Sequence, residues 1–242
     1  MDKIKICYWS DFVCPFCYIG EQRMKNVMKE LEIFDKFEFQ FLSFELDPSS
    51  PKQSKHNVIE GLAKKYNMSI EDAKKSINYI NTIGKIEGLD FKCDTAKHAN
   101  TFNAHRLVKY IEKKGNYENT EKIINLLYDA YFTKNLLISD EKVLIELGMK
   151  AECTKEEIEK LLSSDICTKE VRDDEQKGSD EGVEGVPYFI VDGTEVINGA
   201  VPKEEMKRVL MKVLNKKNIS KNESSQIKGV YCDENGCYIK KK

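Results

Sequence analysis

The 242-residue sequence predicts an α/β fold interrupted by a large all-helical insertion, and three observations predict it. Residues 3–46 read as strand, helix and strand. From about His56 to Ser164 the periodicity is helical throughout. "VPYFIV" and "EVIN" then flank "DGT" as a hairpin, and a last amphipathic helix follows. The 40% apolar content suffices for a core, and the 33% charged residues are of mixed sign, as on an ordinary solvated surface. A net charge of −2 and an isoelectric point near 6.1 argue against a nucleic-acid binder.

The first strand is "KIKICYW" (3–9), short and rich in β-formers. In the helix after it, Cys17, Gly20, Met24, Val27, Met28 and Leu31 recur at spacings of three and four. Pro15 stands at its first position, where a missing N–H costs nothing. In "FEFQFLSFEL", Phe37, Phe39 and Phe41 share one face while Leu42, Phe44 and Leu46 share the other, so both faces are expected to be buried. Strand, helix and strand at this spacing form a βαβ unit with parallel strands. "DPSSPK" (47–52) reads as a linker.

Within the insertion, Ile59, Leu62, Ala63 and Tyr66 line one helix, and Ser69 with Asp72 starts another that turns Ile77, Ile80 and Ile83 inward. Ala104, Leu107, Val108 and Ile111 line a third, stopped near Gly115. Further helices are expected around Ile123–Tyr131 and Val143–Leu147, and Thr154 with Glu157 forms a capping box before Ile158, Leu161 and Leu162. A polar helix, "SSDICTKEVRDDEQKG", leads to the hairpin, whose Asp-Gly suits a tight turn. The helix after Pro202 buries Met206, Val209, Leu210 and Val213. The expected parts are 1–55 and 165–216 for the α/β domain, 56–164 for the insertion, and 217–242 for a lysine-rich, cysteine-containing tail. With the helical block removed, the element order is that of a thioredoxin fold.

The chemistry concentrates in "CPFC". Cys14 lies at the start of the first helix, where free N–H groups and the macrodipole favour an anion, so its thiolate is the expected nucleophile. Cys17 sits one turn inside and faces Cys14, positioned to attack a mixed disulfide and release the substrate. Pro15 and Phe16 border the pair. In thioredoxin-like folds a proline such as Pro187 is cis and faces the active site, presenting the Val186 backbone to an extended substrate. A buried inert pair and a zinc half-site completed by Cys232 and Cys237 are the competing readings; no metal is expected.

"SDFVCPFCYIG", "ANTFNAHRL" and "GVPYFIVDG" with "VINGA" together resemble the DsbA-like thioredoxin-fold family, most of all its FrnE-type branch, over roughly residues 3–215. The resemblance implies a thiol–disulfide oxidoreductase or isomerase with Cys14 as nucleophile, Cys17 as resolving thiol and Pro187 as cis-proline. Residues like Phe102, His105 and Arg106 border the substrate groove in relatives, so substrate contact is one expectation for them here, and a salt-bridged or capped structural role is the other. Some FrnE-type proteins carry a C-terminal Cys-x4-Cys, matched here by Cys232 and Cys237, which reads either as a second redox pair or as a clip that orders the tail. One departure is that periplasmic relatives have an acidic residue six positions before the nucleophile, where this chain has Tyr8. Proton transfer from Cys17 would need another group or water.

The expected substrate is a disulfide-containing protein or a small thiol, reduced in turn by thioredoxin or glutathione. No bound cofactor is expected, with glutathione as co-substrate at most. No apolar run approaches the ~20 residues needed to span a bilayer, and "MDKIKICYWSDF" enters a strand without a signal-peptide pattern, so the expected setting is cytoplasmic, away from membranes. A glutathione-dependent isomerase or transferase of the kappa-like (2-hydroxychromene-2-carboxylate isomerase-like) branch is the runner-up, and a thiol-based redox or zinc sensor or chaperone the third reading. Cys7, Cys93, Cys153 and Cys167 are expected to be small apolar residues of strands or helices, and His56 and His98 surface residues.

Overall fold

The computed structural model describes residues 3–51, 57–226, 230–233 and 236–239. Strand β1 (Ile4–Ser10), helix α1 (Pro15–Glu30) and strand β2 (Phe37–Ser43) form the expected βαβ unit. Six helices follow: α2 (Val58–Lys65), α3 (Ile70–Ile86), α4 (Phe102–Lys113), α5 (Tyr117–Phe132), α6 (Glu141–Lys150) and α7 (Lys155–Leu162). The chain returns through α8 (Thr168–Asp180), β3 (Tyr188–Val191) and β4 (Glu195–Asn198) to α9 (Lys203–Gln226), and ends in β5 (Val230–Asp233) and β6 (Gly236–Ile239).

The four-stranded sheet has the order β2-β1-β3-β4. β1 and β2 are parallel, and β3 runs antiparallel to both β1 and β4. Strand alternation divides the apolar residues between two layers. Ile4, Ile6, Tyr8, Phe37, Phe39, Phe41, Phe189 and Val191 belong to the main core with α1 and α9 residues, whereas Trp9, Leu42 and Val183 form a second cluster on the other face. Helix α8 covers that second face, and the Trp9 indole N–H donates to the Asp174 carbonyl at 2.8 Å. Gly178 permits this packing, since a Cβ there would lie 2.9 Å from Trp9 Nε1.

Local signals behave as their chemistry dictates. Ser69 and Thr154 cap α3 and α7, the latter with the full capping box to Glu157. The β3–β4 turn places Asp192 and Gly193 at φ of 52° and 70°, the left-handed region that an Asp-Gly pair tolerates. Three expectations about where elements end are corrected. Leu46 is exposed because β2 ends at Ser43 and the alternation ends with it. Tyr66 is exposed as well, being the residue that ends α2 rather than one within it. Helix α9 runs ten residues past Lys216, through a stretch with no Gly or Pro until Gly229 to stop it. Cys93, Cys153 and Cys167 are buried but lie in a turn, a loop and the cap of α8, so of the four single cysteines Cys7 alone sits within a strand. His98 is half-buried, with Nδ1 2.8 Å from Ser50 Oγ; His56 lies outside the described residues.

Candidate active site

Cys14 occupies the N-cap of α1 in extended conformation (φ −91°, ψ 110°), and Pro15 opens the first turn. No side chain caps this end, and no acidic residue lies in its first turn. The positive end of the macrodipole therefore lies at Cys14 without a competing anion. The loop before the helix is closed by Cys14 N–H donating to the Asp11 carbonyl at 3.1 Å, and Cys17 N–H donates to the Cys14 carbonyl at the same distance.

The second wall comes from the far end of the domain. The Val186–Pro187 peptide bond is cis, and the Cys14 thiol donates to the Val186 carbonyl at 3.6 Å across 172 residues of sequence. Gly20 makes the approach feasible: a Cβ on it would stand 3.0 Å from Pro187 Cγ. Pro187 is buried, while Val186 stays half-exposed at the rim.

The two sulfurs occupy different environments. Cys17 is fully buried, and burial, with the neighbouring Cys14, pushes its thiol well above the ordinary range. Its sulfur accepts from the Asp11 backbone N–H at 3.5 Å. Ser10, Asp11 and Tyr128 surround it with no exposure of their own, and Ser10 Oγ lies 2.5 Å from Tyr128 Oη. The Asp11 carboxylate points elsewhere. Its Oδ2 accepts from Leu46 N–H at 2.8 Å, and Oδ1 lies 3.4 Å from His105 Nε2. Tyr8 is wholly buried with a hydroxyl that has no hydrogen-bond partner, so the position of the expected acid holds part of the core.

Phe16 is exposed beside the pair and opens onto a groove of about 500 Å³ that α3 and the β4–α9 loop complete, with Ile83, Ile86, Ala200 and Pro202 among its lining. Tyr79 and Ile86 of α3, 65% and 71% exposed, are the apolar side chains that periodicity could not assign, because each lies off the buried stripe of its helix. Ser10 and Tyr128 were also missed, since a lone serine and a core tyrosine carry no motif.

For "ANTFNAHRL" the structural alternative holds, and the groove placement is corrected. His105 is fully buried, its ring packed on Phe12 at 5.0 Å. The Arg106 guanidinium donates to the Leu161, Ser164 and Ile166 carbonyls and to Asn103 Oδ1, closing the end of α7 instead of facing a substrate. Phe102 is half-buried under the Arg172 guanidinium, 4.4 Å from its ring centroid. The tail cysteines lie in register: Cys232 stands opposite Cys237 across the β5–β6 ladder. Among the described residues no group of three or more His, Cys, Asp or Glu is placed to hold a metal ion, and no helix is long and apolar enough to cross a membrane.

The model of the DSBA-like thioredoxin domain matches residues 5–211. The chain belongs to the DsbA-like thioredoxin-domain family. In that family, a probable DsbA oxidoreductase of Streptomyces coelicolor superposes with a TM-score of 0.83 at 27% identity, covering 98% of this chain and 100% of the other. The cytosolic disulfide reductase DsbM of Pseudomonas aeruginosa, solved with GSH, shares the fold at a TM-score of 0.60 and 14% identity, over 87% and 99% of the two chains. The uncharacterized protein YwbO of Bacillus subtilis (strain 168) is 24% identical over 222 residues, 86% of this chain and 96% of that one. The expected α/β fold with a helical insertion is that of this DsbA-like chain.

Proposed function

We propose that this DsbA-like chain is a thiol–disulfide oxidoreductase, with disulfide isomerisation within its reach, in which Cys14 attacks and Cys17 resolves. The observation that carries the reading is the placement of Cys14 at the open N-terminus of α1, 3.6 Å from the carbonyl beside the cis-proline, with Cys17 buried one turn in. In the reductive direction the Cys14 thiolate attacks one sulfur of a substrate disulfide. A Cys14–substrate bond forms, and the other substrate sulfur departs as a thiolate that takes up a proton. The Cys17 sulfur then attacks Cys14 Sγ, the Cys14–Cys17 disulfide forms, and the second substrate thiol leaves. The substrate gains two electrons and the protein loses two; the reverse sequence oxidises a dithiol.

The substrate is a disulfide-containing polypeptide, for which the exposed apolar groove beside Phe16 and the Val186 backbone offer contacts, or a small disulfide. Thioredoxin or glutathione restores the dithiol, and the redox-active cysteines themselves are the only cofactor. The proposed setting is the cytoplasm, which the DsbM likeness supports. Cys14→Ser is expected to abolish insulin reduction, and Cys17→Ala to accumulate a mixed disulfide at Cys14. Full activity in Cys14→Ser would end the proposal, and glutathione-dependent isomerase activity in Cys17→Ala would replace it with the kappa-like reading.

The register of Cys232 against Cys237 supports a second redox pair, as in the FrnE-type branch. The double substitution Cys232→Ser with Cys237→Ser should slow turnover by a partner reductase. Unchanged turnover would leave the pair as a clip on the tail.

A further inference from the structure

The resolving step requires charge to develop on a sulfur sealed from water. Cys17 is fully buried, and neither a carboxylate nor an imidazole bonds its sulfur, since the Asp11 carboxylate is committed to Leu46 N–H and His105. Donors reach it instead. The Asp11 backbone N–H points at Cys17 Sγ from 3.5 Å, and Ser10, the preceding residue at the end of β1, places its hydroxyl on the same side of the buried sulfur. Both draw the Cys17 thiol down against the larger upward push of burial.

A serine hydroxyl has a single hydrogen to give, and Tyr128 decides where it goes. Tyr128 Oη lies 2.5 Å from Ser10 Oγ, and the two oxygens share one hydrogen bond. When Tyr128 donates, Ser10 Oγ is satisfied as an acceptor and its own hydrogen is left for the sulfur. Tyr128 is in turn held by its ring, stacked on Tyr18 at 4.5 Å between centroids and packed on Phe12 at 5.1 Å. The cradle is therefore rigid before the reaction, the condition under which buried donors stabilise developing charge most.

We infer that the Ser10 hydroxyl and the Asp11 amide form a two-donor cradle for the Cys17 thiolate, with Tyr128 positioning Ser10, and that this cradle sets the rate of the resolving step. The inference rests on the proposed roles of Cys14 and Cys17. In the mixed disulfide, the Cys17 sulfur attacks Cys14 Sγ, the Cys14–substrate bond breaks, and its electron pair leaves on the substrate sulfur. That sulfur gains the proton which Cys17 has lost, so the step is balanced without a further reactant. The Asp11 amide bonds the reacting sulfur, the Ser10 hydroxyl is the second donor the inference assigns to it, and Tyr128 acts through Ser10. The titratable groups around Cys17 are Cys14, Tyr128 on α5, Asp11 with its partner His105 on α4, Glu21 one turn along α1, and Tyr8 on β1. Val186 and Pro187 add none.

The test follows the decay of a Cys14 mixed disulfide against pH by acid quench. Ser10→Ala should slow resolution about tenfold near neutral pH and move its pH profile up by about one unit, the loss of one charge-assisted hydrogen bond. Tyr128→Phe, which keeps the ring and its stacking, should move both in the same direction by about threefold. Ser10→Thr, which keeps the hydroxyl, should restore resolution. The double variant Ser10→Ala with Tyr128→Phe leaves neither hydroxyl orphaned and should resolve as slowly as Ser10→Ala. Alkylation of Cys14, a readout of the first attack, should change less than about twofold in each. Resolution at the wild-type rate and pH profile in a folded double variant overturns the cradle while leaving Cys14 as nucleophile. Full turnover by Cys14→Ser instead overturns the reading beneath it.

Discussion

Replacing Lys25 by methionine is expected to weaken the helix that carries both cysteines. Lys25 Nζ lies 2.6 Å from Glu21 Oε1 and 2.8 Å from Glu121 Oε2, bridging two acids that would otherwise repel. The side chains of Lys25 and Glu21 are 10% and 1% exposed, against 21% for Glu121. Glu121 can turn toward water when the lysine is gone, but Glu21 cannot. Methionine keeps an unbranched apolar stem beside Phe39, so the substitution removes the charge more than the packing. Removing one partner of a buried pair costs about 3–5 kcal/mol. At about 2–4 °C per kcal/mol for a chain of this length, the Tm should fall by roughly 6–20 °C near neutral pH. The loss is pH-dependent with a defined sign. Burial holds the Glu21 carboxyl above the ordinary range even with Lys25 opposing it, and deleting the cation raises it further. The folded variant then binds a proton that the unfolded chain has released, so the deficit shrinks as the pH falls toward about 5. Thermal unfolding by circular dichroism at the two pH values measures this, and Lys25→Met with Glu21→Gln should recover part of the loss. A Tm decrease under about 3 °C, or the same decrease at both pH values, would refute the reasoning.

Other expectations follow from the same contacts. Gly20→Ala gains about 1 kcal/mol of helix propensity but drives a Cβ to 3.0 Å from Pro187 Cγ, so the Tm should hold while insulin reduction falls roughly threefold to tenfold as Val186 shifts from Cys14. A rate within about 1.5-fold of wild type would remove Gly20 from the site's geometry. Arg106→Met orphans the carbonyls that end α7 and should cost about 3–5 kcal/mol in urea unfolding, while Cys14 alkylation in the folded fraction stays unchanged; faster or slower alkylation would restore Arg106 to the groove. Burial raises Cys17, Tyr8 and Tyr128 above their ordinary values, and Tyr18 and Tyr117 are pushed up to about 12. The folded state therefore keeps protons that the unfolded chain releases. Stability should be level between about pH 7 and 8 and fall above that, read as a declining urea midpoint; a flat midpoint to about pH 11 would contradict this.

Legibility in the sequence followed the range of the interactions. Pro15 at the helix start, the Ser69 and Thr154 caps and the Asp192-Gly193 turn are settled by residues a few positions apart, so local pattern showed them. The alternation of Phe37, Phe39 and Phe41 against Leu42 and Phe44 was legible because a strand has a period of two. Arg106 was not legible. A charged residue on an amphipathic helix resembles a surface residue until the carbonyls that bury it arrive from 55 to 60 positions away. His105 misled for the same reason, its burial being set by Phe12 and Asp11 from the other end of the domain.

By itself, then, the sequence determined the order of strands and helices, the helical insertion and the cysteine pair at a helix N-terminus, because periodicity, caps and turns act between near neighbours. Only the tertiary structure decided what the pair touches. It brought the Val186 carbonyl across 172 residues to Cys14 and Tyr128 across 118 residues to Ser10. It also moved His105 and Arg106 from the substrate groove into the core. Those contacts depend on how α1, α4, α5 and the cis-proline loop pack on one sheet, and packing between distant segments leaves no local pattern in the chain.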